Sequence, residues 1–222
     1  MSTLVAVPVK DLANAKQRLI PLLSASERHD LASAMLEDVL ENLARARLGP
    51  VLVITRDREV ESLALKHGAE LLREEMNRGH TEAVAHAQRE AASRGAKRFL
   101  TIPGDVPCAT PDELLVVDTS LSEGPAVAFV PSLSGYGTNA ALLTPPDSMS
   151  LKFGEPSFQN HVAAARAAGL KPVVLRLPGL GLDIDEPEDL TLLIQRGPST
   201  RSATLLRRLA VPIRLASRFE TP

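Results

Sequence analysis

The stretch Arg98-Phe-Leu-Thr-Ile-Pro-Gly-Asp105-Val-Pro107 is the part of the chain on which the prediction of the fold rests. It begins with an apolar run that has the length of a strand. Pro103-Gly104 ends this strand, and Asp105 then presents a carboxylate at the mouth of a sheet. A carboxylate in this position is typical of a metal site, although it would also suit the cap of a turn.

Short apolar runs alternate with helical patterns on both sides of this stretch. This alternation predicts an α/β fold, with a mostly parallel sheet flanked by helices in a single domain. Strand-like runs lie at residues 4–9, 51–55, 69–72, 98–102, 126–131, 140–143 and 172–177. Helical patterns lie at residues 26–44, 58–67, 81–92, 158–168 and 187–194, and a further helix is expected from Pro111.

The length of 222 residues suits one such domain, which we assign to residues 1–196. Residues 197–222 contain five arginines and one glutamate and form a basic C-terminal extension. Its leucines, among them Leu205 and Leu209, would suit a packing helix, a contact in an oligomer such as a homodimer, or a loose tail.

The composition excludes several classes of function. The formal net charge of −2 gives no overall attraction to nucleic acid or to an anionic membrane. The single cysteine, Cys108, allows no internal disulfide and suits the reducing cytoplasm, and we interpret it as a buried residue rather than a nucleophile. The apolar N-terminus is predicted to be the first strand rather than a signal peptide, and no apolar run is long enough for a membrane span.

A second acidic cluster, Leu182-Asp183-Ile184-Asp185, follows the strand-like run at residues 172–177. In an open parallel sheet, ligands bind beyond the carboxyl ends of the strands, so this cluster and Asp105 are expected at one edge. Three carboxylates near one point repel one another unless a cation lies between them, and Mg²⁺ prefers oxygen ligands. A helix cap would explain one of these acids, but not both clusters.

The loop after the first strand is basic, with Lys10, Lys16 and Arg18 within nine residues. At the carboxyl edge of the sheet these side chains could surround a triphosphate and neutralise the charge of phosphoryl transfer; the alternative is a solvated charged turn. No phosphate-binding P-loop or dinucleotide fingerprint occurs in the chain.

Three further segments are candidate binding elements. Arg78-Gly79 precedes a predicted helix, where a nucleotide base could approach the backbone. The loops at residues 135–139 and 152–158 offer hydroxyl, amide and backbone donors for an acidic, phosphorylated small molecule. We interpret the histidines as surface or capping residues, since they show no metal-like pairing: His67, His80, His86 and His161.

Five ordered motifs across residues 4–194 resemble the 2-phospho-L-lactate and phosphoenolpyruvate guanylyltransferases. They lie at Val7–Leu19, Ile102–Pro107, Gly137–Asn139, Phe153–His161 and Leu182–Leu190. The chain departs from the family's common Arg-Gly-Leu-Asn, because it has Arg78-Gly79-His80-Thr81 before the mid-chain helix.

The resemblance implies a nucleotidyltransferase of the glycosyltransferase-A-like type that acts in the synthesis of coenzyme F420. Such enzymes join GMP from GTP to the phosphate of phosphoenolpyruvate, 2-phospho-L-lactate or 3-phosphoglycerate, and they release pyrophosphate. The resemblance implies that Mg²⁺ is held by three aspartates, Asp105, Asp183 and Asp185. It also implies that Lys10, Lys16 and Arg18 face the GTP phosphates, and that Thr138, Gly154 and Ser157 bind the acid.

Two other functions fit the same residues. A sugar-phosphate nucleotidyltransferase or a glycosyltransferase would use a similar acidic pair at a sheet edge. A non-catalytic protein that binds nucleotides would keep the phosphate-binding loop without turnover.

Overall fold

The computed structural model of the chain describes residues 3–73, 79–122 and 124–219. Within them, a seven-stranded sheet lies between two layers of helices, with the strand order β3-β2-β1-β4-β6-β5-β7. The strands are β1 (Thr3–Pro8), β2 (Val51–Thr55), β3 (Glu70–Arg73), β4 (Arg98–Thr101), β5 (Ala126–Pro131), β6 (Thr138–Thr144) and β7 (Val173–Val174).

Eight α-helices and a short 3-10 helix, Gln17–Leu19, connect the strands in the described part of the chain. The α-helices are α1 (Ala25–Ala46), α2 (Arg58–Lys66), α3 (His80–Ser93), α4 (Pro111–Thr119), α5 (Ser157–Ala167), α6 (Pro187–Arg196), α7 (Arg201–Arg208) and α8 (Val211–Phe219). None of the helices in the described ranges is long and apolar enough to cross a membrane.

The direction of the strands confirms the predicted mostly parallel sheet. β1 pairs in parallel with β2 and β4, β2 with β3, and β5 with β7. Only β6 is antiparallel to its neighbours, β4 and β5. Because of this reversal, the first residues of β6 lie at the same edge as the last residues of the parallel strands.

Alternate residues of the central strands contribute to two apolar layers, one on each face of the sheet. Val5 and Val7 of β1 pack with α1, α2 and α4 on the first face, and Leu4 and Ala6 pack with α3 and α5 on the second. Burial of each such leucine or valine contributes about 1.5–3 kcal/mol relative to exposure. This period-two pattern fixes the register, because a slip by one residue would exchange the two faces.

Helix α1 begins at a capping box, as its sequence favours. Ser24 Oγ accepts a hydrogen bond from the Glu27 amide, and the Glu27 carboxylate accepts one from the Ser24 amide. The helix ends at Arg47, which adopts the left-handed conformation with φ of 53°. Both ends therefore satisfy backbone groups that a helix otherwise leaves unpaired.

A β-bulge interrupts the pairing of β5 with β6. The ladder skips Asn139, which lies between the pairs Val130–Ala140 and Pro131–Thr138. A bulge changes the direction in which neighbouring side chains point. Thr138 and Asn139, the two residues that begin β6, have different surroundings.

Helices α6, α7 and α8 close a third apolar cluster beside α1. Leu31 and Met35 of α1 contribute to it, as do Leu205 and Leu206 of α7. The N-terminus of α7 rests on Asp38 of α1, which accepts hydrogen bonds from the amides of Arg201 (2.8 Å) and Ser202 (3.0 Å). The described part of the basic extension is thus helical and packed against the domain.

The strand expected at residues 172–177 is much shorter in the structure, where β7 covers only Val173–Val174. It lies at the edge of the sheet and pairs with β5 alone. Pro172 and Pro178 flank the segment, and proline cannot donate to a ladder of hydrogen bonds. The prediction of a full strand here is wrong.

Candidate active site

The two acidic clusters meet at the edge of the sheet that the sequence indicated. The amide of Ile184 donates a hydrogen bond to the carbonyl oxygen of Asp105 at 3.1 Å. Leu182 and Ile184 are buried in the third apolar cluster, whereas Asp183 and Asp185 are partly exposed. The alternation of this extended segment therefore anchors its apolar residues and leaves its carboxylates at the edge.

Asp105 lies immediately after the tight Pro103-Gly104 turn. A Cβ atom at Gly104 would come within 3.2 Å of Val9 and 3.3 Å of Leu36, so a side chain would crowd the core there. One carboxylate oxygen of Asp105, Oδ2, accepts a hydrogen bond from Lys16. The other, Oδ1, is buried and has no hydrogen-bond partner among the described residues.

Lys16 is the cation of the cluster. Its Nζ atom donates to Asp105 Oδ2 at 2.5 Å and to Asp185 Oδ1 at 3.0 Å, and its side chain is only 8% exposed. Burial alone would lower the pKa of the Lys16 ammonium, but the charges of Asp105 and Asp185 and the hydrogen bonds to both raise it above its ordinary value. Lys16 is therefore charged and shared between the two acidic clusters.

Asp183 has a different environment from Asp185. Its Oδ1 atom accepts a hydrogen bond from the amide of Asn139 at 3.1 Å. Burial raises the pKa of Asp183 to about 6; the hydrogen bond from Asn139 opposes this shift, and the nearby Asp105 and Asp185 add to it. Asp183 therefore differs from Asp105 and Asp185 in that its recorded side-chain partner is the neutral amide of Asn139 rather than the ammonium of Lys16.

Asp185 is held by the first turn of α6. Its amide donates to Asp189 Oδ2 at 2.9 Å, and the amide of Glu186 donates to the same oxygen at 2.7 Å. Arg18 does not reach the three aspartates in this structure, because its guanidinium pairs with Glu186 Oε1 at 3.0 Å. Its side chain is 62% exposed and adjoins the cluster from the solvent side.

The donor set of this cluster fits an oxygen-binding divalent cation, because it consists of carboxylates and one of them has a buried oxygen without a partner. In the present conformation, however, no group of three His, Cys, Asp or Glu residues within the described ranges is arranged to hold a metal ion. The ammonium of Lys16 lies between the carboxylates of Asp105 and Asp185 instead.

A cavity of about 250 Å³ opens beside the cluster, between the first loop and α3. Lys10, Lys16 and Asp105 line it, together with His80 at the start of α3. Burial lowers the pKa of His80 to about 4; the charge of Asp105 opposes the shift and that of Lys10 adds to it. The cavity therefore brings a neutral imidazole next to two lysines and a carboxylate.

Of the predicted nucleotide-binding pair Arg78-Gly79, the structure describes only Gly79. Arg78 lies outside the described residues. Gly79 precedes the first residue of α3 and has a φ of 95°, a conformation that favours glycine. The N-terminus of α3 thus faces the side of the fold on which the cavity lies.

Thr138 and Ser157, two of the predicted acid-binding residues, lie together next to His161. Ser157 Oγ donates to Thr138 Oγ1 at 3.3 Å, and Thr138 Oγ1 lies 2.9 Å from His161 Nδ1. Since the amide of Lys152 donates to His161 Nε2 at 3.0 Å, Nδ1 carries the imidazole proton and donates it to Thr138. The Thr138 oxygen then accepts two hydrogen bonds, one from Ser157 and one from His161. The hydroxyl proton of Thr138 is therefore available to donate to a ligand.

Gly154 lies in the loop that leads to α5, with a φ of 116° and open space where a side chain would be. Phe153 beside it connects the two halves of the site. Its ring contacts His80 at a centroid distance of 4.4 Å and His161 at 5.0 Å, in both cases edge to face. The predicted acid site is therefore separated from the cavity by one aromatic side chain.

Sequence reasoning missed four supporting residues of the site. The interpretation of His161 as a surface or capping residue is wrong, because it is only 1% exposed. Asn139 was expected only as an amide donor to the substrate and Asp189 was given no role, whereas in the structure they hold the side chain of Asp183 and the backbone of Asp185. Glu113 of α4 accepts hydrogen bonds from the amides at positions 179 and 180, both at 2.8 Å, and so positions the loop that leads to Asp183.

The signals for these residues differ. An asparagine next to Thr138 in a Gly-Thr-Asn motif is a natural partner for a carboxylate, so Asn139 could have been assigned. Glu113 reads as the fourth residue of a capping box that begins at Thr110, and this local role hides its contact with a distant loop.

Cys108 is buried, in agreement with its interpretation as a core residue. Burial raises the pKa of the thiol to about 11, with a further contribution from Asp38. A nucleophilic cysteine needs a lowered pKa, so the environment of Cys108 does not favour that role.

Solved structures with the same fold define its class. A protein described as a nucleotide-diphospho-sugar transferase from Desulfovibrio desulfuricans G20 superposes with a TM-score of 0.79 at 20% identity, over 96% of this chain and 98% of its own. A nucleotidyl transferase from Methanothermobacter thermautotrophicus gives a TM-score of 0.63 at 17% identity, over 93% and 99%. The fold is thus that of the nucleotidyltransferases, as predicted.

Sequence comparison then identifies the family. Residues 3–220 match the family described as "Guanylyl transferase CofC like", to which the chain belongs. A phosphoenolpyruvate guanylyltransferase from Sphaerobacter thermophilus is 38% identical over 199 residues, which are 89% of this chain and 95% of the relative. A 2-phospho-L-lactate guanylyltransferase from Methanothermobacter thermautotrophicus is 35% identical over 214 residues, 96% and 94% of the two chains. The resemblance recognised in the sequence is confirmed.

Proposed function

We propose that the protein is a guanylyltransferase that joins GMP from GTP to the phosphate of a phosphorylated three-carbon acid. The observation that carries the proposal is the meeting of Asp105, Asp183 and Asp185 with Lys16 at the ligand-binding edge of a nucleotidyltransferase fold. The names of the relatives support the nucleotide and the acid. Phosphoenolpyruvate is our first candidate, followed by 2-phospho-L-lactate and 3-phosphoglycerate.

The basic first loop would bind the triphosphate of GTP. Lys10 and Lys16 line the cavity beside Asp105, and Arg18 adjoins the cluster from solvent. Lysine and arginine at this edge would neutralise the phosphates and the charge that develops on the leaving pyrophosphate. Gly79, at the start of α3, would let the nucleotide approach the backbone closely.

The three aspartates would hold Mg²⁺, which neutralises phosphate charge and fixes the alignment of the reacting groups. Asn139 supports this role because it fixes one oxygen of Asp183, and Asp189 does so because it fixes the backbone of Asp185. Such outer contacts typically orient metal ligands and tune their affinity.

The acid would bind at Thr138, Gly154 and Ser157. The free hydroxyl proton of Thr138 and the backbone at the start of α5 would donate to its negatively charged oxygens. An oxygen of its phosphate would attack the α-phosphorus of GTP; the bond from that phosphorus to the bridging oxygen breaks, and pyrophosphate leaves with the electron pair. The acceptor phosphate is already anionic at neutral pH, so the reaction requires no protein base.

The product would be a phosphoanhydride that activates the acid for transfer in the synthesis of coenzyme F420. Both substrates are metabolites of the cytoplasm, and we place the enzyme there. A homodimer is compatible with this function but contributes nothing to the proposed chemistry.

The proposal is tested by pyrophosphate release from the purified protein with GTP, Mg²⁺ and each of the three acids in turn, with the product identified by mass. Release with a three-carbon acid is expected. Release only with hexose phosphates would instead indicate a sugar-phosphate nucleotidyltransferase, and GTP binding without any release would indicate a non-catalytic protein.

The variant Asp105→Asn provides the matching site test. We expect turnover to fall by about a hundredfold or more while the thermal transition persists, because the change weakens the hold on the Mg²⁺ that would neutralise the phosphates and leaves the core untouched. Asp112→Asn, at an exposed position in the first turn of α4, serves as the control. Equal activity of the Asp105 variant and the control would exclude the proposed site.

A further inference from the structure

The ammonium of Lys16 occupies the place between Asp105 and Asp185. It lies 2.5 Å from one carboxylate and 3.0 Å from the other, and these are its hydrogen-bond acceptors among the described residues. The two oxygens it uses belong to aspartates that the proposed function assigns to a divalent cation. An ammonium in this place disfavours a divalent cation on the same carboxylates, because the two positive charges repel each other at short distance.

The position of Lys16 in the first loop places its side chain beside the cavity as well as beside the aspartates. Lys16 has a left-handed conformation, with φ of 55° and ψ of 43°, at the entry to the 3-10 helix Gln17–Leu19. Leu19 is fully buried and anchors that turn, whereas Lys10 on the other side of the loop is exposed. Lys16 also lines the cavity in which the proposed triphosphate would lie. Its long flexible side chain can therefore serve two acceptors, the carboxylates or a phosphate.

We propose that Lys16 is the resident counter-ion of the cation site and that it gives up this place only when a nucleoside triphosphate binds. In the protein without nucleotide, Lys16 neutralises part of the charge of Asp105 and Asp185 and keeps divalent cations weakly bound. The triphosphate offers the ammonium a new anionic acceptor in the adjoining cavity. The carboxylates are then free for the cation that accompanies the nucleotide.

The exchange makes the binding of cation and nucleotide mutually dependent. A divalent cation that binds alone must displace the ammonium of Lys16, which then has no other acceptor within the described chain. When the cation arrives with the triphosphate, the ammonium can pair with a phosphate instead. Linkage then requires that each ligand raises the affinity for the other by the same factor. This inference rests on the proposed function for the identity of the site, but not on the identity of the acid.

The test compares Mn²⁺ binding to the nucleotide-free protein and to two variants, by electron paramagnetic resonance of free Mn²⁺ and by calorimetry. For Lys16→Met we expect Mn²⁺ affinity to rise by about tenfold or more, because a charge pair a few ångströms apart outweighs the free energy of a tenfold change. Lys10→Met removes the same charge from the same cavity, but no ion pair with an aspartate is seen for Lys10 in the described residues. We expect a much smaller change for it.

The added affinity must belong to the aspartate site. The double variant Lys16→Met/Asp105→Asn should lose it again, and the thermal transition of Lys16→Met should rise with Mn²⁺ more steeply than that of the unsubstituted protein. The second measurement also shows whether Lys16→Met is folded, since a folded variant with uncompensated carboxylates gains stability from the cation.

The proposal is overturned if Lys16→Met binds Mn²⁺ no better than the unsubstituted protein, or if Lys10→Met gains as much. It is also overturned if the unsubstituted protein binds Mn²⁺ as tightly without nucleotide as with a non-hydrolysable GTP analogue. These results are independent of turnover. A protein that releases no pyrophosphate fails the proposed function while the Mn²⁺ comparison stands, and an active enzyme with an unchanged Lys16→Met affinity fails this inference alone.

Discussion

At the scale of single residues, His161 is the side chain on which the proposed acid site depends. It accepts from the Lys152 amide and donates to Thr138, so its tautomer is fixed and the direction of the Thr138 hydroxyl follows from it. Its ring also stacks on Phe129 at a centroid distance of 5.5 Å. Burial lowers the pKa of His161 to about 4, and the charge of His80 adds to the shift, so the ring is neutral near pH 7.

His161→Phe should keep the ring stacking and remove both hydrogen bonds. We expect the KM for the acid to rise by about tenfold, with a smaller change in kcat, because the hydroxyl of Thr138 loses the donor that directs it. His161→Asn, whose amide can still donate to Thr138, should retain more of the affinity. Steady-state kinetics with the acid varied at saturating GTP measures both. A fall in kcat at constant KM would contradict a positioning role.

The residues of the site that could be predicted from the sequence are those whose chemistry shows in a local motif. Asp105, Asp183 and Asp185 each follow a strand-like run, and the basic first loop is recognisable by charge. The hydrogen-bond and ion-pair partners of these residues were not predictable, because they depend on packing between distant segments of the chain. Lys16 was expected to face phosphates, and nothing in its neighbours indicated that it would lie between aspartates 89 and 169 residues away.

At the scale of elements, α7 is joined to α1 through a buried carboxylate. Asp38 accepts from the amides of Arg201 and Ser202 and from Ser202 Oγ at 2.6 Å, and it is only 4% exposed. A carboxylate at the N-terminus of a helix satisfies unpaired amides and interacts favourably with the helix dipole. Thr200 caps α7 locally by accepting from the Ala203 amide, and Asp38 adds acceptors for the next amides from another helix, more than 160 residues away in the chain.

Asp38→Ala should therefore lower the free energy of unfolding by about 2 to 4 kcal/mol, because three hydrogen bonds to this carboxylate are lost and the buried Ser202 amide is left without its acceptor. Asp30→Ala, on the same helix with a side chain 60% exposed, is the matched control and should change it by less than about 0.5 kcal/mol. Urea unfolding followed by circular dichroism measures both. Equal effects of the two substitutions would show that α7 does not depend on this contact.

The bounds of most elements followed from local signals. Val51–Thr55 and Ala126–Pro131 agree with their predicted ranges, and α1 begins one residue before the helical pattern predicted from residue 26. The direction of β6 was not predictable in this way, because a strand carries no mark of its orientation. The short β7 reflects its position at the edge, where an apolar run between prolines forms few ladder bonds.

At the scale of the whole molecule, the C-terminal helices are tied to the start of α1. Arg214 of α8 donates to both oxygens of Glu27, at 3.0 and 2.8 Å, and to the carbonyl of Leu22. The hydrogen bond from Arg214 is the main cause that lowers the pKa of Glu27 to about 2, followed by that from the Ser24 amide. The last helix and the first helix thus share one ion pair.

This ion pair predicts how stability depends on pH. The pKa of Glu27 is about 2 in the fold and about 4.5 in the unfolded chain, so its contribution is complete above pH 4.5 and is lost as the pH falls towards 2. We expect Glu27→Gln to be less stable than the unsubstituted protein at pH 6, and the difference to shrink steadily between pH 4.5 and 2. Thermal unfolding across this range checks it. A gap that stays constant would argue against the ion pair.

The architecture of the whole chain was predictable, because alternating strand and helix patterns restrict it to a sheet covered by helices. The role of residues 197–222 was not, since their composition suited three different arrangements. In the structure, Leu205 and Leu206 share a cluster with Leu182 and Ile184 beside the acidic edge. We therefore infer that the basic extension supports the site, although its charge gave no such indication.

The β-bulge at Asn139 sets which residues of β6 face the acidic cluster and which face His161. Asn139 is the residue that the ladder skips, and its amide lies towards Asp183, while the hydroxyl of Thr138, one position earlier, lies towards His161. Neighbouring residues of one strand therefore contact the acidic cluster and the proposed acid site. Deleting Ala140 would leave Thr138 and Asn139 in the sequence, yet the shift of one position would turn the Asn139 amide away from Asp183 and the Thr138 hydroxyl away from His161. The number of residues before Ala140 thus decides whether these two side chains keep their partners.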